Sequence, residues 1–247
     1  MKRDLYFSKP LMNAAGSLGF TPDSRNGISL DSLGAFVTNP LSLRPRLPTP
    51  QPAMIEYPGG FLLHTGLPNP GLSSAVKKYE SRWARSGMSI IVNLMADRPE
   101  ETKKMVESLE AIESVMAVEL GFAPLLSDEI ILMSLEMCLG EIPLIFSLPA
   151  EQVLSLGPKL IQGGAQAISI SLPRGALNPN PSLITGRLYG PSLFPRTLDV
   201  INSASRLGIP IIASGGIWSG KDVADSLSAG AMAVQVDASL WVPKEAN

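Results

Sequence analysis

Residues Ile209 to Val236 read IPIIASGGIWSGKDVADSLSAGAMAVQV: an apolar β-branched run, a Gly-Gly turn, a helix-forming stretch and a second apolar run. The run Ile209 to Ile212 is too short for a helix and too apolar for a strand with one wet face, which places it in a parallel sheet covered on both sides. Gly215 and Gly216 can bring backbone amides close to an anion, beside the amino end of a helix opened by Ser219. The same pair also suits a tight strand-to-helix turn that holds no ligand.

The rest of the chain repeats this alternation. Apolar runs predict strands at Leu11–Ala14, Ala35–Thr38, Ile90–Leu94, Ala117–Leu120, Leu144–Ser147, Ala167–Ile170, Ile209–Ala213 and Ala233–Val236. Amphipathic stretches predict helices at Ser73–Ala84, Pro99–Glu113, Asp128–Leu139, Glu151–Gln162, Thr197–Leu207 and Lys221–Ala229, several with Gly just past the end. Eight strands with helical crossovers close most simply into a (β/α)8 TIM barrel, and 247 residues match the roughly 250 of one such domain spanning 1–247. The alternative, an open doubly wound sheet, needs a G-x-G-x-x-G turn after its first strand. Ala15-Gly16-Ser17-Leu18-Gly19 does not have that spacing.

Two Pro-rich and Gly-rich stretches, Leu41–Gly71 and Ser171–Gly190, leave from the carboxyl ends of strands, where barrel active sites assemble, and are expected to roof the site. After Val236 the sequence DASLWVPKEAN is too short and too Pro-interrupted for a full eighth helix. The bare wall this leaves beside the first strand suits a partner subunit, in a homodimer or hetero-oligomer, with Trp241-Val242 at the interface.

With 20 basic and 22 acidic residues and no block of like charge, neither a nucleic-acid footprint nor a polybasic membrane patch is supported. The amino terminus, its short apolar stretch broken by Lys9 and Pro10, does not read as a signal peptide, and no run of ~18 apolar residues occurs, so a cytoplasmic location is expected. Cys138 lies in an apolar helical run and reads as a packing residue. With one histidine, His64, far from that cysteine and no clustered carboxylates, no metal site is expected.

The segments LMNAAGSLGF (Leu11–Phe20), LGAFVTNPLSLRPR (Leu33–Arg46), PGGFLLHTGLPNPG (Pro58–Gly71), VNLMAD (Val92–Asp97) and GRLYGPSLFPRTLDVI (Gly186–Ile201), with the Gly-Gly unit, occur in the order and spacing of the dihydroorotate dehydrogenase family, which this chain resembles. The resemblance implies an FMN oxidoreductase of pyrimidine biosynthesis that converts dihydroorotate to orotate. By position it implies flavin contacts at Ala15, Gly16, Thr38, Asn93, Gly190, Gly215 and Gly216, and substrate contacts at Asn69 and, beside the family's substrate position, His64.

The resemblance also exposes departures. Asn39 stands where the family has a flavin-side lysine, and Ser147 where it has another. The loop Gly121-Phe122-Ala123-Pro124-Leu125 lacks the cysteine or serine base and the asparagine beside it. Ser171-Leu172 replaces an Asn-Thr pair, and Leu63 replaces an asparagine. Asp237-Ala238 stands where Gly-Thr amides face the phosphate, and a carboxylate within ~5 Å of a phosphate costs on the order of a few kcal/mol. Weakened FMN binding and no assignable catalytic residue are therefore expected. Arg44, Arg46, Arg174 and Arg187 sit in the two long loops and can hold an anion, although loop arginines are most often solvated. Three readings stay open: an active flavoenzyme, a barrel for another phosphorylated ligand, and a non-catalytic regulatory or structural partner.

Overall fold

The computed structural model describes residues 4–23, 30–179 and 183–241. In chain order the strands are β1 (Leu11–Asn13), β2 (Ala35–Val37), β3 (Ala53–Tyr57), β4 (Gly60–His64), β5 (Ser89–Met95), β6 (Val115–Gly121), β7 (Leu144–Leu148), β8 (Ala167–Ile170), β9 (Arg174–Leu177), β10 (Ile184–Tyr189), β11 (Ile211–Ser214) and β12 (Ala233–Val236). Six α-helices lie among the described residues: α1 (Leu72–Arg85), α2 (Pro99–Glu110), α3 (Asp128–Cys138), α4 (Ala150–Gly163), α5 (Phe194–Arg206) and α6 (Gly220–Ser228). Eight strands, all parallel, close into a barrel in the order β1-β12-β11-β8-β7-β6-β5-β2. This is the (β/α)8 architecture the alternation implies, with every predicted strand and helix present and only their ends shifted.

Alternation along each strand sorts residues between two layers. On β5, Ile90, Val92 and Leu94 point out and join the large core that the helices cover, together with Trp83, Met105 and Leu156. Ile91 points in and packs with Met12, Val37, Ile145 and Ile212 in the barrel's lower interior. The helices face this wall with matching stripes. On α5 the buried residues are Thr197, Val200, Ile201 and Ala204, at i, i+3, i+4 and i+7. Cys138 is buried on α3, and burial, helped by the Glu107 charge and opposed by Lys103, pushes its thiol up to about 12, leaving it a packing residue.

Helix starts follow local chemistry. Pro99 opens α2 with Glu100 and Glu101 in its first turn. Ser219 caps α6 in a capping box: its Oγ accepts from the Asp222 amide at 3.2 Å, and the Asp222 carboxylate accepts from the Ser219 amide at 2.8 Å. Burial pushes the Asp222 carboxyl up, but the Trp218 and Ser219 amides outweigh it and hold the group below its ordinary value.

The two long loops are more ordered than their Pro and Gly content suggests. β3 and β4 form a hairpin around Pro58-Gly59-Gly60, β9 and β10 form a second, and the two pair antiparallel into a sheet of order β3-β4-β10-β9. Gly190, at φ 140, lets the end of β10 approach Gly59 and Gly60 so closely that no side chain fits between them. After β12 the chain makes a single 3-10 turn at Ala238–Leu240, and no described helix is long and apolar enough to cross a membrane. Val242 lies outside the described residues.

Candidate functional site

One pleat above the apolar interior layer, the same inward face turns polar. Counting two residues on from Ile91, Ala117, Ile145, Ala167, Ile212 and Ala233 gives Asn93, Glu119, Ser147, Ser169, Ser214 and Gln235. Glu119 is the hub and is 1% exposed. Its Oε2 accepts from Asn93 Nδ2 at 2.9 Å, and its Oε1 accepts from Ser169 Oγ at 2.6 Å and Gln235 Nε2 at 2.9 Å. A carboxylate this deep persists because three donors replace its lost water. Thr38 supports the layer from β2, its Oγ1 accepting from the Asn93 amide at 3.1 Å.

Above this floor opens a cavity of about 500 Å³. Ala14 and Ala15 give it a side without bulk, and the loop after β6, from Gly121 to Leu126, forms the opposite wall. Leu125 in that loop has φ 66 and is fully exposed. The roof is the β9–β10 hairpin, from which Arg174 and Arg187 reach the cavity as directly opposed register partners. Burial, then the Arg187 charge, lowers the Arg174 guanidinium below its ordinary value. Among the described residues no group of three metal-ligating side chains occurs.

Of the residues the resemblance assigns to flavin, Ala15 and Asn93 line this cavity, while Gly16, Thr38, Gly190, Gly215 and Gly216 do not. Leu172, which lines the cavity, also packs with Tyr189 and Ala238 in a second apolar cluster that Trp218, Leu193 and Phe61 join, and its Cδ2 would stand 3.6 Å from a Cβ at Gly215 in the Gly-Gly turn. The amides of Gly215 and Gly216 bond to no described residue, as an anion cradle requires. Gly216, at φ 76, is also pressed against the start of α5: a Cβ there would collide with the Phe194 amide nitrogen.

Asp237 follows β12, the strand beside β11, and so stands next to that turn. It is 3% exposed; Oδ1 caps the 3-10 turn by accepting from the Ala238 amide, and Oδ2 has no partner among the described residues. Burial pushes its carboxyl up to about 6, against the opposing Ala238 and Asp237 amides. Burial likewise raises the Tyr189 hydroxyl, opposed by the charge and hydrogen bond of Arg187 and helped by Asp237.

The remaining assigned positions are engaged in architecture. Asn69 Oδ1 accepts from Ser42 and Gly71, and its Nδ2 donates to the Leu67 carbonyl at 3.2 Å, so it clasps the loop before α1 and does not reach the cavity. His64 Nε2 meets Thr49 Oγ1 at 3.1 Å, also away from the cavity. Asn39 binds the loop after β1, its Oδ1 accepting from the Gly19 amide at 3.0 Å. Ser147 does line the cavity. Arg44 and Arg46 are exposed, and Arg46 Nε donates to the Gly66 carbonyl at 2.5 Å. The residues that sequence reasoning passed over are Glu119, Ser169 and Gln235. The signal was available, since each lies two residues beyond an inward apolar position on its strand.

The profile of the Dihydroorotate dehydrogenase family matches residues 3–122, and that of the Nitronate monooxygenase family matches residues 184–247. A dihydroorotate dehydrogenase B (NAD(+)) catalytic subunit from Pelobacter propionicus is 30% identical over 265 residues, covering 98% of this chain and 87% of its own length. The proteins of the same description from Trichlorobacter lovleyi and Geotalea daltonii are 29% and 30% identical, over 96% and 92% of this chain and 86% and 82% of theirs.

Proposed function

Because the chain belongs to the dihydroorotate dehydrogenase family, we propose that its barrel mouth keeps a ligand pocket of that lineage but has lost the machinery that oxidises dihydroorotate. The observation that carries this reading is the wall after β6. Converting dihydroorotate to orotate takes a proton from one ring carbon and a hydride from its neighbour, so a side chain must accept that proton. Gly121, Phe122, Ala123, Pro124 and Leu125 offer none. Glu119, the carboxylate in the floor, is occupied by three donors.

The residues also do not fit an FMN lying from Ala15 to the Gly-Gly turn. Gly215 and Gly216 do not line the cavity, and beside their turn Asp237 holds a carboxylate oxygen with no partner among the described residues, where a phosphate needs donors. What the chain's own groups can do is bind: serines and amides at the floor, arginines at the roof, and apolar carbon on the wall.

Purified protein incubated with FMN, an artificial electron acceptor and dihydroorotate tests this. The expected outcome is a colourless protein and no orotate above the enzyme-free rate; stoichiometric flavin with steady orotate formation refutes the reading. The relatives' description as catalytic subunits supports assembly into a hetero-oligomer. A stable monomer in sedimentation of the protein from its native host would refute the assembly.

A further inference from the structure

Arg174 and Arg187 are the two arginines of the roof. Register places the two residues directly opposite each other on β9 and β10, on one face of the hairpin, and both line the cavity. Like charges at directly opposed strand positions destabilise a sheet unless something neutralises them. Among the described residues nothing does: no carboxylate lies within ion-pair distance of either guanidinium. Glu119 shares the cavity but is held by the floor, and Glu151 at the rim pairs with neither arginine. The Tyr189 hydroxyl near Arg187 is neutral and does not cancel its charge. Below the pair, Ser147 and Ser171 face the same space and supply hydroxyl donors.

We propose that Arg174 and Arg187 form a site for a small acid carrying two negative charges, either a compact dicarboxylate or a phosphate monoester, gripped between roof and floor of the barrel mouth. Two guanidinium forks match such an ion with paired N–H donors, and the anion relieves the repulsion between the two arginines. A planar monocarboxylate satisfies one fork and leaves the other uncompensated, so charge selects the ligand. Anion capture needs neither flavin nor turnover, and stands or falls apart from the loss of dihydroorotate oxidation.

Calorimetric titration with malonate, inorganic phosphate and acetate at matched ionic strength tests it. At least one dianion is expected to bind ten-fold or more tightly than acetate, malonate identifying a dicarboxylate site and phosphate a phosphoester site. Arg174→Gln and Arg187→Gln are each expected to weaken that dianion ten-fold or more. The double variant should melt no lower than the parent, since a repulsion has been removed. Equal affinity for acetate and both dianions overturns the proposal. So does dianion binding that survives in the double variant, which would move the anion to Gly215-Gly216.

Discussion

Trp241 donates its indole N–H to the Ser17 carbonyl at 2.8 Å, tying the turn after the last barrel strand to the loop after the first. The ring also leans on Tyr189 at 5.7 Å and Phe61 at 6.4 Å between centroids, while Phe61 and Tyr189 stack at 5.1 Å. One side chain thus joins the seam between β1 and β12 to the roof sheet. Trp241→Phe keeps the ring and loses the bond, at a cost of about 1 kcal/mol. Trp241→Ala loses the packing too and should cost about 2–3 kcal/mol, less than a fully buried aromatic because the ring is 40% exposed. Urea unfolding midpoints of the two variants check the ranking.

Removing the hub of the floor should be more severe. Glu119→Ala leaves the amides of Asn93 and Gln235 and the Ser169 hydroxyl facing an empty space. At about 1–3 kcal/mol for each buried donor left unmade, the loss is at least about 3 kcal/mol. For a chain of 247 residues that lowers the melting temperature by roughly 6–12 °C. Glu119→Gln can keep part of the network if a neighbouring amide turns over, and should lose about 1 kcal/mol. Scanning calorimetry of the two variants separates a hub from a spectator.

Asp237 gives stability a pH dependence of known sign. Burial raises its folded-state value to about 6, above the ordinary 3.8, so between those values the folded chain holds a proton that the unfolded chain releases. Stability therefore falls as pH rises from about 4 to about 6, by at most about 3 kcal/mol, and stays level above that. Asp237→Asn keeps the cap on Ala238, removes the titration, and should exceed the parent in stability at neutral pH while matching it near pH 4. Unfolding free energies across that range measure the difference, and parallel curves for parent and variant would show that the carboxylate is solvated in the folded state.

What the sequence shows and what it hides divide along physical lines. Barrel strands and covering helices were legible because burial on both faces of a parallel sheet writes continuous apolar runs, and because caps such as Ser219 and turns such as Gly208 act locally. The roof strands were not. Ala53–Tyr57 and Arg174–Leu177 are short, half-exposed and bounded by prolines and glycines, and the sheet they edge is joined only where β4 pairs with β10 across more than a hundred residues of chain. Hairpin register hid the site's charge. Arg44, Arg46, Arg174 and Arg187 are alike as loop arginines, and only register brings the last two face to face over the cavity. Asn69 shows the converse: a position marked by resemblance as ligand-binding has its amide oxygen taken by Ser42 and Gly71, a demand that local sequence does not announce.

Gly215 and Gly216 can be told apart by substitution. Both have left-handed backbones, φ 96 at Gly215 and φ 76 at Gly216, so alanine at either carries conformational strain of about 1–2 kcal/mol. Their surroundings differ. A Cβ at Gly215 meets only Thr197 Oγ1 at 3.5 Å and Leu172 Cδ2 at 3.6 Å, ordinary contacts, whereas at Gly216 it collides with the Phe194 nitrogen and the Leu193 carbonyl carbon at 2.8 Å. Backbone cannot step aside as a side chain can, so the start of α5 must move. Gly215→Ala should therefore fold with a loss of about 1–2 kcal/mol, and Gly216→Ala should lose at least twice that or fail to accumulate as soluble protein. Equal, small losses at both positions would mean that the turn tolerates bulk and that Gly216 is glycine for a ligand's sake, since only an approaching anion would then explain the missing side chain.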